Sequence, residues 1–221
     1  MNMRITEVLY RLRVFIIPYL LIICTCLIIK LTYSREQIYF EVNGYHDSFA
    51  DVFFTYATDL GAGISIIVLT IIFLLINYRK AFLLISSFTI TSLLSTVAKN
   101  IFHSPRPYLY FKADLNHIYL VKGEHMLSNN SFPSGHTIEA FTLAVVLSYV
   151  TPNKRWGFIF LLLAIAVAYS RMYLSEHFFE DVTAGSIIAT MATVMWLTFI
   201  DSQPFLHHAR WNKGLLNRDR V

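Results

Sequence analysis

Six stretches of this 221-residue chain, near 14–33, 61–77, 81–98, 137–150, 156–170 and 182–200, are almost free of charge. A bilayer core of roughly 30 Å takes about 20 helical residues, and each run reaches that length once its flanks are counted. The expected fold is all-α: a polytopic membrane protein, one membrane domain over residues 1–221, built as a six-transmembrane-helix bundle. Composition agrees, with 56% hydrophobic and 14% charged residues, where soluble domains carry about 25% charged. Arg11 and Arg13 precede the first run, Lys30 follows it, and no small-residue cleavage site intervenes. It reads as an uncleaved anchor rather than a signal peptide. Cys24 and Cys26, both inside it, stand two positions apart and point in different directions on a helix, so neither a disulfide nor a metal site is expected.

A net charge of +4 could suggest nucleic acid, but the distribution argues for a bilayer. With a cytoplasmic N-terminus, the inner segments carry eleven of the eighteen basic residues: Arg4, Arg11, Arg13, Arg79, Lys80, Lys154, Arg155, Arg210, Lys213, Arg218 and Arg220. Lys30, Arg35, Lys99, Arg106, Lys112, Lys122 and Arg171 fall outside. This positive-inside bias puts both termini, an N-tail 1–13 and a basic tail 202–221, in the cytoplasm, as in a multi-pass protein of a bacterial inner membrane. The short turns "NYRK" (77–80) and "TPNKRW" (151–156) should close hairpins between helices two and three and helices four and five. Segments 34–54 and 102–132 lie on the outer face. The first suits a helix on the membrane surface, and the second is long enough to be either functional or disordered. Its aromatics, Tyr108, Tyr110, Phe111 and Tyr119, read as interfacial anchors. The tail contacts anionic lipid or is simply solvated, and His207 and His208 within it have no catalytic part.

Three polar clusters do not belong in a generic bundle. "KNIFHSPRP" holds Lys99 at the end of helix three and Arg106 before Pro107; "PSGH" (133–136) opens helix four; "SRMYLSEHFFED" runs from Ser170 and Arg171 through His177 to Asp181. All three fall at the outer face, and their common depth suggests a single anion site. A phosphoryl group in transit spreads negative charge over its equatorial oxygens, so catalysis is largely positioning and electrostatics. Lys99, Arg106 and Arg171 would supply the cations. Ser134 and Gly135 would supply free N–H groups at the positive end of a helix, with glycine allowing close approach. His177 and Asp181, at i and i+4, would share a helix face, the carboxylate holding Nδ1–H so that the other nitrogen can attack phosphorus. His136, beside the cradle, suits the acid that protonates the leaving oxygen. Water would then hydrolyse the phosphohistidine.

At these residues the chain resembles the type 2 phosphatidic acid phosphatase superfamily. Lys99 and, after six residues, Arg106-Pro107; then Pro133-Ser134-Gly135-His136; then Ser170-Arg171, His177 and Asp181 match its three-part signature in order, over roughly residues 50 to 200. The resemblance implies a six-helix membrane core, metal-independent hydrolysis of phosphate esters and an outward-facing site. It also implies His177 as nucleophile, Asp181 as its orienter, His136 as acid, and Lys99, Arg106, Ser134, Gly135 and Arg171 as phosphate ligands.

Each residue alone has a plainer use: Lys99 and Arg171 as snorkelling cations, Ser134 as an N-cap. Only together do depth and spacing demand a site. The signature does not require Glu139, one turn inside helix four and i+3 from His136. An intramembrane carboxylate is costly; it either supports the site by holding His136 or balancing Lys99, or lines a wet vestibule. His103, His117 and His125 match no compact metal motif, and Asp59 is assigned no role. The expected activity is hydrolysis of a phosphate or pyrophosphate on a membrane lipid, of the undecaprenyl pyrophosphate, lipid A, phosphatidylglycerol phosphate or phosphatidic acid class. No cofactor, metal or nucleic acid takes part. A phosphotransferase using the same intermediate, or a non-enzymatic lipid-binding or transport protein, are the alternatives.

Overall fold

The computed structural model describes residues 5–123 and 127–217; Arg4, His125, Arg218 and Arg220 lie outside them. Among the described residues all regular structure is helical: α1 (Ile5–Arg11), α2 (Arg13–Thr32), α3 (Arg35–Gly44), α4 (Ser48–Asp59), α5 (Gly63–Ile76), α6 (Tyr78–Phe102), α7 (Pro107–Tyr110), α8 (Gly135–Val150), α9 (Trp156–Tyr173) and α10 (Phe179–Ile200), with short 3-10 turns between and after them. Four of these are long and apolar enough to cross a membrane: α2, α6 with its continuation into α7, α9 and α10. α4 and α5 would make a fifth span as one helix bent by 51°, and α8, at 16 residues, is shorter.

The sequence explains where the helices start. Ser34 and Gln37 form a capping box on α3, Asp47 caps α4, Asn77 caps α6 and Ser134 caps α8. The single residue Asn77 separates α5 from α6, and residues 151–155 separate α8 from α9, so both expected hairpins form. The outer segment expected as one surface helix is instead divided at Tyr45–Asp47, where Asp47 takes the N–H groups of Phe49 and Ala50.

Short as it is, α8 is the central helix. It touches α9, α10 and α6 and buries apolar residues on all sides, among them Ile138, Phe141, Val145 and Tyr149. Small hydroxyl residues join the helices inside the bundle, as where Thr142 Oγ1 donates to Thr91 Oγ1 at 3.0 Å. α2 is the converse: Leu20, Leu21, Ile28 and Leu31 are exposed, as suits a lipid-facing helix.

Among the described residues, both ends of the chain are packed against the bundle. Val8 and Leu12 are buried at the start. At the end, Leu206 is buried, Trp211 packs on Phe82 and Phe205, and Tyr78 N–H donates to Lys213 O at 2.8 Å. Arg210 and Lys213 of this tail are carried by a folded cap, because its apolar residues have a surface to cover. Beneath the cap, Asp201 is fully buried, accepts two bonds of 2.6 Å from Arg79 Nη2 and one of 2.6 Å from Tyr149 O–H. His207 reaches the Asp201 carbonyl, a structural use consistent with its distance from the signature residues.

Candidate active site

The signature residues gather at the opposite end of the bundle. α6 carries Lys99 in its last turn and ends at His103, in the left-handed region (φ 43). The long segment that follows is closed at its base: Arg106 N–H donates to Ser128 O and Ser131 N–H to Ser104 O, each at 2.9 Å. These bonds set Arg106 and Ser131 side by side. Arg106 is only 6% exposed; its Nε donates to Asn129 O at 3.0 Å, and its Nη1 to the carbonyl and carboxylate of Glu176.

Arg171 ends α9, and its Nη1 donates to Thr58 Oγ1 of α4 at 2.6 Å. The chain then turns through Ser175, at φ 58, a conformation that costs a non-glycine residue about 1 kcal/mol or more. Surrounding contacts impose it. Ser175 Oγ lies 2.9 Å from Tyr39 O–H and accepts from Asn43 Nδ2 at 3.1 Å. Tyr39 also packs against Phe111 and Phe178, so α3 and the long outer segment together brace the loop before His177. Phe111, expected as an interfacial anchor, is buried in this cluster. Tyr119 donates to Asp51, His117 pairs with Asp114 on an exposed surface, and Arg35 and Lys30 pair with Glu180 beside Asp181.

His177 is 1% exposed, but it does not share a helix face with Asp181. α10 begins at Phe179, and Asp181 caps it, accepting from Phe178 N–H at 2.9 Å. The His177 Nδ1 to Asp181 Oδ2 distance is 3.6 Å, beyond hydrogen bonding. Ser131 stands between them: its hydroxyl donates to Asp181 Oδ2 at 2.6 Å and lies 3.4 Å from His177 Nδ1. A hydroxyl has one proton. With that proton on Asp181, Ser131 Oγ can only accept from Nδ1–H, which leaves the Nε2 lone pair bare. The orientation expected from Asp181 directly is thus relayed through a serine.

At the start of α8 two expectations change. Ser134 Oγ caps the helix, taking Thr137 N–H and Thr137 Oγ1–H, and Ser134 N–H donates to Asp181 O at 3.1 Å. The Ser134 N–H is therefore taken, while the hydroxyl, which accepts both bonds from Thr137, keeps its own proton to donate. Gly135 meets its requirement differently, since a Cβ there would sit 3.2 Å from Lys99 Nζ. The α4–α5 bend lies against the same end, a side chain at Gly61 coming within 2.8 Å of His136 O. Glu139 acts electrostatically on Lys99, and a side chain at Gly63 would come 3.6 Å from its Oε2.

These groups surround one imidazole. Burial, and after it Arg106, Arg171, Lys99 and His136, hold the His177 pKa well below its ordinary value. At neutral pH His177 is therefore unprotonated, with three cations acting on it. Sequence reasoning missed Ser131, Glu176 and Thr58. Their contacts into the site span 50, 70 and 113 positions, and no local spacing signals them.

A family model described as the PAP2 superfamily matches residues 80–204. Among curated proteins, the undecaprenyl-diphosphatase of Sulfolobus acidocaldarius is 32% identical over 120 residues, 54% of this chain and 52% of that protein, so the match spans about half the relative's length. Two solved structures share the fold. Aquifex aeolicus LpxE has a TM-score of 0.67 at 29% identity, covering 76% of this chain and 98% of that one. The PAP2-type phosphatidylglycerolphosphate phosphatase of Bacillus subtilis has a TM-score of 0.58 at 25% identity, covering 86% and 94%. With its apolar helices and a transmembrane PAP2-type phosphatase among its structural neighbours, the chain is an integral membrane protein, and it belongs to the PAP2 superfamily.

Proposed function

We propose that the protein is a metal-independent phosphatase that hydrolyses a phosphate or pyrophosphate monoester on a membrane lipid. The observation that carries this is the buried His177 beside Ser131 and Asp181, with Arg106 and Arg171 on the adjoining Glu176 and Lys99 and His136 in the same cluster. His136 takes up a proton as the phosphate's negative charge enters beside it; His177 Nε2 attacks phosphorus, the bond from phosphorus to the leaving oxygen breaks, and His136 gives that oxygen the proton. The three cations stabilise the charge on the equatorial oxygens. Water then attacks the phosphohistidine, His136 takes its proton, and the P–N bond breaks to release phosphate. Asp181, through Ser131, holds the tautomer throughout, Gly135 keeps room for Lys99, and Glu139 supports the site through its charge on Lys99.

A cavity of about 350 Å³ supports a lipid substrate. It begins at Leu60 and Ala140, beside the α4–α5 bend and Glu139, and runs between α5, α8 and α9 to Leu147 and Phe160. Its apolar walls suit hydrocarbon lying next to a headgroup in the cationic cluster. Two relatives, an undecaprenyl-diphosphatase and a phosphatidylglycerolphosphate phosphatase, fit such a class. The charge bias of the sequence supports a site on the outer face of the inner membrane with both termini inside.

The test is phosphate release by detergent-purified protein from undecaprenyl pyrophosphate, lipid A, phosphatidylglycerol phosphate and phosphatidic acid, with EDTA present. At least one should be hydrolysed, and His177→Ala should abolish the reaction. Undiminished turnover by His177→Ala would refute the nucleophile, and loss of activity in EDTA would refute the metal-free chemistry. Phosphate appearing only on an added alcohol or lipid would identify a phosphotransferase.

A further inference from the structure

Glu176, immediately before His177, is a carboxylate among cations that the chemistry above needs for phosphate. It is 4% exposed, and one of its oxygens, Oε2, is bonded by Arg106 Nη1 and lies 3.6 Å from Arg171 Nη2. An oxygen bonded by one guanidinium group and facing a second stands where an equatorial phosphate oxygen would. Two readings are possible, with opposite signs. If Glu176 positioned the arginines, removing its charge would weaken phosphate binding; if it competes for them, removing its charge would strengthen it.

The other contacts decide between them. Arg106 is already held by Asn129 O and by the Glu176 backbone carbonyl, and Arg171 by Thr58 Oγ1. Neutral acceptors therefore aim both guanidinium groups without the Glu176 side chain. The Glu176 backbone is itself tied, its N–H donating to Arg171 O at 3.0 Å, and the preceding Ser175 is locked by Tyr39 and Asn43. Only side-chain rotation is left to move the carboxylate off the arginines.

We infer that Glu176 is an internal rival of the phosphate group, taking a donor of Arg106 and the charge of Arg171 and yielding both when phosphate binds. This rests on the reading of the cluster as a phosphate site. The rivalry limits how tightly the site holds its product and so favours release. A site with three cations and no such carboxylate would retain phosphate longer.

The experiment is titration of inorganic phosphate into detergent-purified wild type and Glu176→Gln by calorimetry, with KM and kcat measured alongside. Glu176→Gln should bind phosphate about tenfold more tightly, the scale of one charge-assisted hydrogen bond. Its KM should fall while kcat does not rise. Glu176→Asp, which keeps the charge, should stay nearer to wild type than Glu176→Gln does. Unchanged or weaker binding by a folded Glu176→Gln overturns the inference. Absence of phosphate binding by wild type overturns the phosphate site itself, and the inference with it. Should Glu176→Gln not fold, phosphate-induced infrared difference spectra of wild type decide: a carboxylate band shifting as an ion pair is released supports the rivalry, and no shift overturns it.

Discussion

Replacing Ser131 with alanine tests the relay between His177 and Asp181. The substitution removes one oxygen that donates to Asp181 Oδ2 at 2.6 Å and faces His177 Nδ1 at 3.4 Å. Ser131 is 0% exposed, so bulk water cannot replace the lost group. A hydrogen bond to a charged partner contributes about 1.5–3 kcal/mol. If about 2 kcal/mol of it is felt in holding the tautomer at the transition state, kcat falls about 30-fold. KM should change little, because Ser131 faces the histidine and carboxylate rather than the cations. The assay is steady-state turnover of whichever lipid phosphate the wild type hydrolyses, with Asp181→Asn and the double variant measured together. Acting through one chain of bonds, the two changes should be strongly non-additive, with the double variant close to the more damaged single one. Turnover of Ser131→Ala within about twofold of wild type, or losses that add in free energy, would refute the relay.

Gly135→Ala should leave thermal stability near wild type, since the atom it meets is the movable end of Lys99, but should weaken phosphate binding by displacing that ammonium; a phosphate titration checks it, and unchanged affinity would remove Lys99 from the phosphate cradle. Acid should destabilise the fold through His177. Its folded pKa lies well below the ordinary histidine value, so as pH falls below about 6.5 the unfolded chain takes up a proton that the native site refuses. That contribution is full above pH 6.5 and is lost progressively toward the folded value, at up to about 1.4 kcal/mol per pH unit. Unfolding midpoints across this range should slope less in His177→Asn. At the other end, Asp201→Ala leaves Arg79 without its buried partner and should cost about 3 kcal/mol or more of stability. Its kcat per folded molecule should be unchanged, as a thermal melt paired with a turnover assay would show.

Helix content, the two hairpins and the gathering of the signature residues were legible in the sequence. Charge-free runs mark helices directly, and residues at the ends of antiparallel helices share one end of the bundle whatever the details of packing. Legibility failed where a partner comes from far along the chain. His177 and Asp181, four positions apart, looked like a direct pair on one helix, but α10 starts after His177 and the atom between them belongs to Ser131. Ser134 looked able to offer its N–H to an anion, but Asp181 O takes it. The packing of the tail was not legible either, because its composition hides that Leu206 and Trp211 have a surface waiting at the base of α5 and α6.

By itself, the sequence determined which chemistry could occur, because cations, histidines and a carboxylate at helix ends need only the helices themselves to share a depth. Tertiary structure alone decided how each group is held: Ser131 relaying Asp181 to His177, Thr58 anchoring Arg171, and Glu176 set between two arginines. The physical reason is that hydrophobic patterning acts within a helix turn or two, whereas a hydrogen bond depends on tenths of an ångström between segments that only the folded bundle brings together.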